Sequence, residues 1–331
     1  MDSRLALVLM ALLSALPVAA QSTLYTCASA AKEYVVGAKL PPSGLFRKTA
    51  SGPWEHVGFN LPFLFSLDFD PADPSILYLA AGNGLFRATG RGSKWTLLTG
   101  SDVTELRDVA VDPHSPGTIY FAYSHGIRVT HDNGVTWKEL AGGLHRKFTE
   151  SIRVDRTKSG TLLAGGEEGV FRSEDDGQTW RIAGAAGWQI LHLEQSPHDA
   201  CFWLATTQGG GLFGSRDCGK TFESIGHAGV DRSLYDVAFD PTTPGRIGLA
   251  GWGPGVLISE DSGKTWQARN SGLPRTDVLT LAFDPSKPGR LYASVHEEAI
   301  YVSEDAGKTW TVSGIDGSAA ARMKFIPESA K

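Results

Sequence analysis

The chain has 331 residues, of which 41% are hydrophobic and 20% are charged, so it is long enough to bury a sizeable core. Its formal net charge of −5 is too small to favour a polyanionic partner, and no basic run stands out, so we expect no nucleic-acid binding. The nine histidines and three cysteines lack the spacing of metal ligands, so we expect no metal and no other cofactor.

The N-terminus has the pattern of an export signal. One arginine is followed by the apolar run LALVLMALLSALPV, and Val18-Ala19-Ala20 supplies small residues for cleavage. We expect residues 1–20 to be removed near Ala20, leaving residues 21–331 as one domain in the periplasm or outside the cell. No second apolar segment is long enough to cross a bilayer, so we expect no membrane span after cleavage.

Disulfides form in oxidising compartments, so export would allow the cysteines to pair. Cys201 and Cys218 flank a segment whose turn residues, Gln208 to Gly211, are centred midway between them. In a hairpin the two cysteines would face each other within disulfide range. We predict a Cys201–Cys218 disulfide and interpret Cys27 as a free or intermolecular thiol.

An eight-residue motif recurs along the chain. SEDAGKTW at Ser303–Trp310 has close copies at four other places and two degraded copies before them. The closing aromatics are separated by 41, 42, 43, 42, 44 and 44 residues; they are Trp54, Trp95, Trp137, Trp180, Phe222, Trp266 and Trp310. Such a constant period indicates a repeat architecture.

Each unit contains four short β-rich runs, A to D, separated by Pro/Gly turns, and run A ends in an Asp-Pro turn in most units. Units of this length with four strands are typical of β-propeller blades. We predict an all-β, seven-bladed propeller with a first blade formed by 33–58 plus 321–327, the C-terminal strand closing the ring. The other predicted blades are 64–98, 106–140, 151–183, 191–225, 234–269 and 278–313.

The octet itself has the composition of a turn. Its Asp accepts backbone hydrogen bonds, its Gly tolerates positive φ, and its aromatic residue packs between elements. Five near-identical copies on five blades cannot form one active site, so we assign them a structural role. The residues are Asp132, Gly134, Trp137, Asp175, Gly177, Trp180, Asp217, Gly219, Phe222, Asp261, Gly263, Trp266, Asp305, Gly307 and Trp310.

The pattern S/T-x-D-x-G-x-T-W resembles the Asp-box of the bacterial neuraminidase repeat. The chain is similar in this respect to sialidases, xyloglucanase-type hydrolases, sortilin ectodomains and the photosystem II assembly-factor family. The resemblance implies the propeller fold over nearly the whole mature chain. It does not decide function, because enzymes and non-enzymes share the motif.

The enzymes of this group have features that the sequence lacks. Sialidases carry an Arg-x-Pro motif before the first Asp-box, which is absent here. Xyloglucanase-type enzymes use two propellers with one catalytic Asp each, whereas this chain has one propeller, and its matching stretch, Leu40–Phe46, has no Asp. The alternative of a glycoside hydrolase with an atypical site would draw on Asp108, Asp236, Tyr235 and Glu168.

Propellers mostly bind ligands at the face that carries the D–A and B–C loops. The candidate ligand-binding residues on these loops are Trp188, Trp252, Arg232, His145, Arg146, Glu167 and Glu297. Exposed loop tryptophans are common anchors for proteins or sugars. The alternative, that each tryptophan only caps its own blade, is equally compatible with the sequence.

The innermost strands, aligned on the Asp-Pro turn, add a second set. Arg322, His192, Asp108 and Asp236 share one layer, where they either coordinate a polar ligand or hold channel water. In the next layer Lys324 neighbours Asp68 and Arg153 neighbours Glu194, and we predict inter-blade ion pairs there.

These observations favour an exported, monomeric, non-enzymatic scaffold that binds a protein or a cell-surface glycan. The alternatives are the glycoside hydrolase above and a carbohydrate-binding module that uses Trp188 and Trp252.

Overall fold

The computed structural model describes residues 21–30, 32, 41–140, 142–144, 148–225 and 232–328. These residues form seven antiparallel sheets of four strands each. The first blade contains β1 (Ser22–Ala30), β2 (Gly44–Lys48), β3 (Trp54–Val57) and the closing strand β28 (Ser318–Pro327).

The second to fourth blades follow in chain order: β4 (Leu64–Phe69), β5 (Leu77–Ala81), β6 (Gly84–Thr89) and β7 (Lys94–Leu97); β8 (Asp108–Val111), β9 (Ile119–Tyr123), β10 (Gly126–Thr130) and β11 (Lys138–Glu139); β12 (Thr149–Val154), β13 (Leu162–Gly166), β14 (Gly169–Ser173) and β15 (Arg181–Gly184).

The fifth to seventh blades are β16 (Ile190–Gln195), β17 (Trp203–Thr207), β18 (Leu212–Ser215) and β19 (Glu223–Ser224); β20 (Leu234–Phe239), β21 (Ile247–Gly251), β22 (Gly255–Ser259) and β23 (Gln267–Ala268); β24 (Val278–Phe283), β25 (Leu291–Val295), β26 (Ala299–Ser303) and β27 (Thr311–Gly314).

The predicted ring closure is confirmed. The C-terminal strand β28 pairs antiparallel with β1 from Ser22↔Pro327 to Ala30↔Ser318, with one register shift. The inner strands contact one another around the ring, β4 with β8 and onwards to β24, and β28 contacts both β24 and β4. The ring is therefore closed, because every inner strand contacts the inner strands of both neighbouring blades.

The first blade differs from the prediction in its second strand. The predicted blade begins at residue 33, in a stretch that lies outside the described residues, whereas the structure has Ser22–Ala30 as the second strand of this sheet. Six consecutive side chains of this strand, from Thr23 to Ala28, are buried, which explains why it lies between two other strands of its sheet. Residues 1–20, the predicted export signal, also lie outside the described residues.

The hydrophobic core lies between neighbouring blades. In blades two to seven the second strand is buried at every position, because one face packs on the preceding blade and the other on the next. One cluster joins Leu204 and Phe202 of blade five to Val237 and Leu249 of blade six. Each such leucine contributes about 1.5–3 kcal/mol when fully buried, so the blades stabilise one another.

Each complete octet closes a turn through its Asp. Asp305 Oδ1 accepts the Ser303 hydroxyl at 2.8 Å and the Thr309 backbone N–H at 2.9 Å, and Oδ2 accepts the Thr309 hydroxyl at 2.7 Å. Gly307, at φ 85°, donates its N–H to Ser303 Oγ. The other four complete octets repeat this pattern.

A disulfide joins Cys201 to Cys218 in blade five. Cys201 is in the turn between strands A and B, and Cys218 is the fourth residue of the octet. The Cys218 N–H also donates to the Cys201 carbonyl at 3.1 Å. The octets of four other blades make the same backbone bond to a glycine, namely Gly117, Gly160, Gly245 and Gly289. The disulfide thus adds a covalent link to a contact that the repeat already makes.

The third cysteine, Cys27, is buried on β1, and burial raises its pKa far above the ordinary value. Within the described ranges, no helix is long and apolar enough to cross a membrane.

Candidate functional site

The two ends of the propeller carry different loops. Neighbouring strands in each blade are antiparallel, so the turns joining A to B and C to D lie at one end. We call this end the Asp-box face, because the octets Thr130–Trp137, Ser173–Trp180, Ser215–Phe222, Ser259–Trp266 and Ser303–Trp310 lie there. The loops joining B to C, and D to the next strand A, form the opposite end, which we call the loop face.

Asp108 links three blades at the central channel. Its side chain is fully buried at the start of β8. Oδ1 accepts the Ser66 hydroxyl of blade two at 2.6 Å, and Oδ2 accepts the Ile152 backbone N–H at 3.0 Å and an Arg153 Nη1 hydrogen at 2.5 Å. Burial on its own would raise the pKa of Asp108, but Arg153, Arg322 and the Ser66 hydroxyl lower it to about 2. The carboxylate is therefore ionised at neutral pH and carries no proton for acid catalysis.

Asp236 has the same role on the other side of the channel. It is almost fully buried on β20, and its Oδ2 accepts the Thr280 hydroxyl at 2.5 Å and the Leu281 N–H at 3.1 Å from blade seven. Its Oδ1 accepts a hydrogen from Arg322 of the closing strand at 2.8 Å. Because Arg322 belongs to blade one, this ion pair reaches past blade seven to join blades one and six.

His192 lies between two guanidinium groups in the same layer. Its imidazole contacts Arg322 Nη1, and Arg153 Nη2 lies 3.4 Å from its Nε2. Burial lowers the pKa of His192, and the positive charge of Arg322 lowers it further. The imidazole is therefore neutral near pH 7. The four residues predicted for this layer come together with Arg153 in one network.

The two predicted inter-blade ion pairs of the next layer are confirmed. Lys324 Nζ lies 2.6 Å from Asp68 Oδ1, and Arg153 Nε lies 3.7 Å from Glu194 Oε2. Burial would raise the pKa of Glu194, but His192 and Arg153 lower it to about 2, so it too is ionised at neutral pH.

Two cavities adjoin this network, of about 340 and 200 Å³. Both are lined by residues of the A–B turns, so they lie towards the Asp-box face and not towards the loop face. Both are bordered by the same six side chains, namely Arg153, Arg156, Glu194, Gln195, Arg322 and Lys324. These two channel cavities are thus at the end of the channel opposite the predicted ligand face.

The loop face carries a strip of aromatic rings over blades six and seven. Trp252 is 40% exposed. Its ring centroid lies 5.1 Å from that of His296 and 6.4 Å from that of Tyr235. Tyr235 is on the innermost strand β20, near its loop-face end, whereas Trp252 follows the second strand, so the strip runs outwards from the channel. The Trp252 backbone is held by a β-bridge to Asp277, whose carbonyl also accepts the His296 N–H.

Trp188 forms a second exposed aromatic on blade five, 42% exposed. Its ring lies against the B–C loop, where a Cβ at Gly210 would overlap it. The absence of a side chain at Gly210 lets the indole lie across the loop, so Trp188 partly covers its own blade while keeping an open side.

The other predicted site residues are more scattered. Arg232, Glu167 and Glu168 are exposed on loops of the loop face, and Glu297 is half-buried at φ 58° in the last B–C turn. His145 and Arg146 lie outside the described residues. The alternative catalytic set is divided, because Asp108 and Asp236 are buried in the channel whereas Glu168 lies on an exposed loop.

Some contacts were not anticipated from the sequence. Arg107 lies between two rings at the loop-face end of the channel, 4.8 Å from the centroid of Phe65 and 4.9 Å from that of Phe148. Arg156 stands where other blades have the proline of the Asp-Pro turn and donates to Ser196 O and Gln195 Oε1 of blade five. The departure from Asp-Pro at Asp155-Arg156 was the available signal for the second contact.

Within the part of the chain that the structure describes, no group of three or more His, Cys, Asp or Glu side chains could hold a metal ion.

The chain resembles known proteins in its three-dimensional fold but not detectably in its sequence. No family model matches the chain, and no curated protein matches it. Among solved structures, the GH74 xyloglucanase from Xanthomonas campestris is 20% identical with a TM-score of 0.60, over 75% of this chain and 45% of that one. A structure of YCF48 bound to D1 peptide is 18% identical with a TM-score of 0.60, over 77% of this chain and 86% of that one.

The chain has the propeller fold of the GH74 xyloglucanases and of YCF48. A chain of a nidogen/laminin complex matches as well, at 15% identity and a TM-score of 0.51, over 72% of this chain and 88% of that one. The chain spans less than half the length of the xyloglucanase it matches. At these identities the likeness concerns the fold alone, which hydrolases and binding propellers share.

Proposed function

We propose that the protein is a non-enzymatic binding or assembly scaffold whose partner, a protein or a cell-surface glycan, docks on the loop face. The observation that carries the proposal is the strip formed by Trp252, Tyr235 and His296, with Trp188 on the neighbouring blade. Aromatic residues are enriched at protein interfaces, so Trp188 and Trp252, each about two-fifths exposed, together with Tyr235 and His296 favour a protein partner.

The geometry of the channel carboxylates counts against the glycoside hydrolase. A glycosidase needs one protonated and one ionised carboxyl group on either side of a sugar. Asp108 and Asp236 are both buried, and each accepts hydrogen bonds from backbone N–H groups, hydroxyls and an arginine. Their surroundings fit the joining of blades, because both carboxylates accept hydrogen bonds from residues of other blades.

The similar propellers agree with a binding role without deciding it. One of them was solved with a D1 peptide and another in a nidogen/laminin complex, whereas the GH74 enzymes are hydrolases. The exposed aromatics of this chain, and not the likeness, are therefore the basis of the proposal.

Site-specific photo-cross-linking tests where the partner docks. A photoreactive residue is introduced at position 188, at position 252, or at Val135, which is 80% exposed on the Asp-box face. In the native envelope we expect adducts from positions 188 and 252 and none from 135. Binding of the captured partner should then weaken at least about tenfold in Trp252→Ala. Adducts from position 135 alone would contradict docking on the loop face.

A further inference from the structure

The larger of the two channel cavities exists because two neighbouring blades have small side chains in one layer of the channel. Its volume is about 340 Å³, near the lower end of the range for small-molecule sites. In the layer where four blades place Lys324, Asp68, Arg153 and Glu194, blades six and seven have only Ala238 and Ala282. The cavity lies beside these two alanines and is bordered towards the Asp-box face by prolines of the A–B turns, Pro197, Pro241 and Pro285.

One wall of this cavity is cationic. Arg322 and Lys324 are two residues apart on β28, so their side chains lie on the same side of the strand, and both border the cavity. Lys324 remains 40% exposed although it pairs with Asp68. Arg322 uses Nη1 for Asp236, but its buried Nε finds no acceptor among the described residues. A buried donor without a partner costs free energy, which an anionic acceptor in the cavity would recover.

A second wall, formed by blades six and seven, is apolar apart from Asp236, which is paired with Arg322. Ala238 and Ala282 lie there together with Phe239 and Phe283, and none of these side chains carries a polar atom. A molecule that fills the cavity would therefore contact positive charge at one end and hydrocarbon along its body.

We propose that this cavity binds a small organic monocarboxylate, with the carboxylate group between Arg322 and Lys324 and the apolar body against Ala238 and Ala282. Glu194 also borders the cavity, is 37% exposed and carries a negative charge at neutral pH. It disfavours a second negative charge on the ligand, so the site selects monoanions over dianions.

Binding is coupled to closure of the ring. Both cations belong to the closing strand, whereas the apolar wall belongs to blades six and seven. A ligand that binds only the closed ring raises the melting temperature as its concentration rises.

The test uses the full purified chain and a set of probes with different shapes. Benzoate, cyclohexanecarboxylate and hexanoate are titrated by calorimetry, with benzamide as the neutral analogue and phthalate as the dianion. We expect saturable binding of at least one monocarboxylate, and at least about tenfold weaker binding of benzamide and phthalate. Absence of saturable binding by all three monocarboxylates, or equal binding of benzamide, overturns the proposal.

Three variants distinguish an effect on ligand binding from a general loss of folding stability. Lys324→Met should weaken monocarboxylate binding about tenfold, whereas Glu194→Gln should strengthen it, and Ala282→Leu should abolish it by filling the cavity. Ala110→Leu is the matched control, because Ala110 occupies the same layer but borders only the smaller cavity.

Each variant is first checked for a cooperative melting transition. If Lys324→Met and Glu194→Gln shift the affinity in the same direction, or if folded Ala282→Leu binds as the parent does, the proposed site is wrong.

Discussion

Two sets of aspartates stabilise the propeller by different means. The octet aspartates, such as Asp305, accept hydrogen bonds from within one exposed turn. Asp108 and Asp236 are buried, and each accepts hydrogen bonds from two other blades, including one from an arginine. Loss of an octet carboxylate should therefore loosen one turn, whereas loss of a channel carboxylate should affect the association of the blades.

Asp108→Asn should destabilise the protein by about 3 kcal/mol, because it leaves the buried Arg153 guanidinium without its closest counter-charge. Urea unfolding measures the change. Asp102→Asn is the control, since Asp102 also pairs with an arginine but its side chain is 69% exposed, and we expect a loss below about 1 kcal/mol. Equal effects of the two substitutions would contradict the assigned role.

Stability should depend on pH in two windows. The pKa of His192 is lowered from 6.5 in the folded state, so its contribution is present above pH 6.5 and is lost as the pH falls below that value. The pKa values of Asp108, Glu194 and Asp305 are lowered to about 2, so their contributions are lost between the ordinary values of 3.8 to 4.5 and about 2.

The melting temperature measured from pH 8 to pH 2 should therefore fall first below pH 6.5 and more steeply below about pH 4.5. His192→Gln should remove the first decrease and keep the second. A parent curve that is flat from pH 6.5 to 5 would show that His192 is not held neutral by the fold.

At the scale of the elements, the repeat explains which strands could be predicted. The octet and the Asp-Pro turn recur with a nearly constant period, so the strands between them follow from the sequence in six blades. Ser22–Ala30 has no such markers and directly follows the predicted export signal, so the sequence alone does not identify it as a strand of the first blade. The pairing of Ser22–Ala30 depends on β28, about 300 residues away in the chain, which local pattern does not reveal.

The Cys201–Cys218 disulfide should stabilise blade five. It closes a loop with a sequence separation of 17, and a loop of that length corresponds to about 3 kcal/mol in the chain-entropy model. We expect Cys201→Ser/Cys218→Ser to lose about that much in urea unfolding, because the unfolded chain regains its freedom.

Reduction with dithiothreitol should lower the stability of the parent to that of the double variant and leave the variant unchanged. Two free thiols on the 201–218 peptide in a non-reducing mass spectrum would show that the bond does not form.

At the scale of the whole molecule, ring closure is the main constraint. The closing strand pairs with β1, contacts the inner strands of blades two and seven, and supplies Arg322 and Lys324 to the channel. The same strand thus completes a sheet and forms ion pairs with blades two and six.

Truncation after Gly317 should therefore abolish the cooperative melting transition, because it removes β28 and exposes the edge of β1. Truncation after Glu328, which retains the whole strand, is the control and should melt like the parent. If the chain ending at Gly317 still melts cooperatively near the parent temperature, ring closure by β28 is not needed for folding.

The site could be predicted from the sequence only in part. Alignment of the inner strands placed Lys324 beside Asp68 and Arg153 beside Glu194, because residues at equivalent positions of neighbouring blades must be adjacent. It did not reveal that Arg322 pairs with Asp236 of blade six or that Arg153 pairs with Asp108. A long side chain has several acceptors within reach, and the sequence does not show which of them it contacts. The cavity beside Ala238 and Ala282 was also missed, because small residues give no signal until the ring is closed.

The most direct test of the non-enzymatic role is hydrolysis by the purified chain on a panel of sialosides, β-glucans and xyloglucan. We expect no turnover above the background of a heat-denatured sample, because Asp108 and Asp236 are buried and saturated with donors. Turnover that disappears in Asp236→Asn or Asp108→Asn, in a variant that retains a cooperative melting transition, would contradict the scaffold role and place catalysis in the channel.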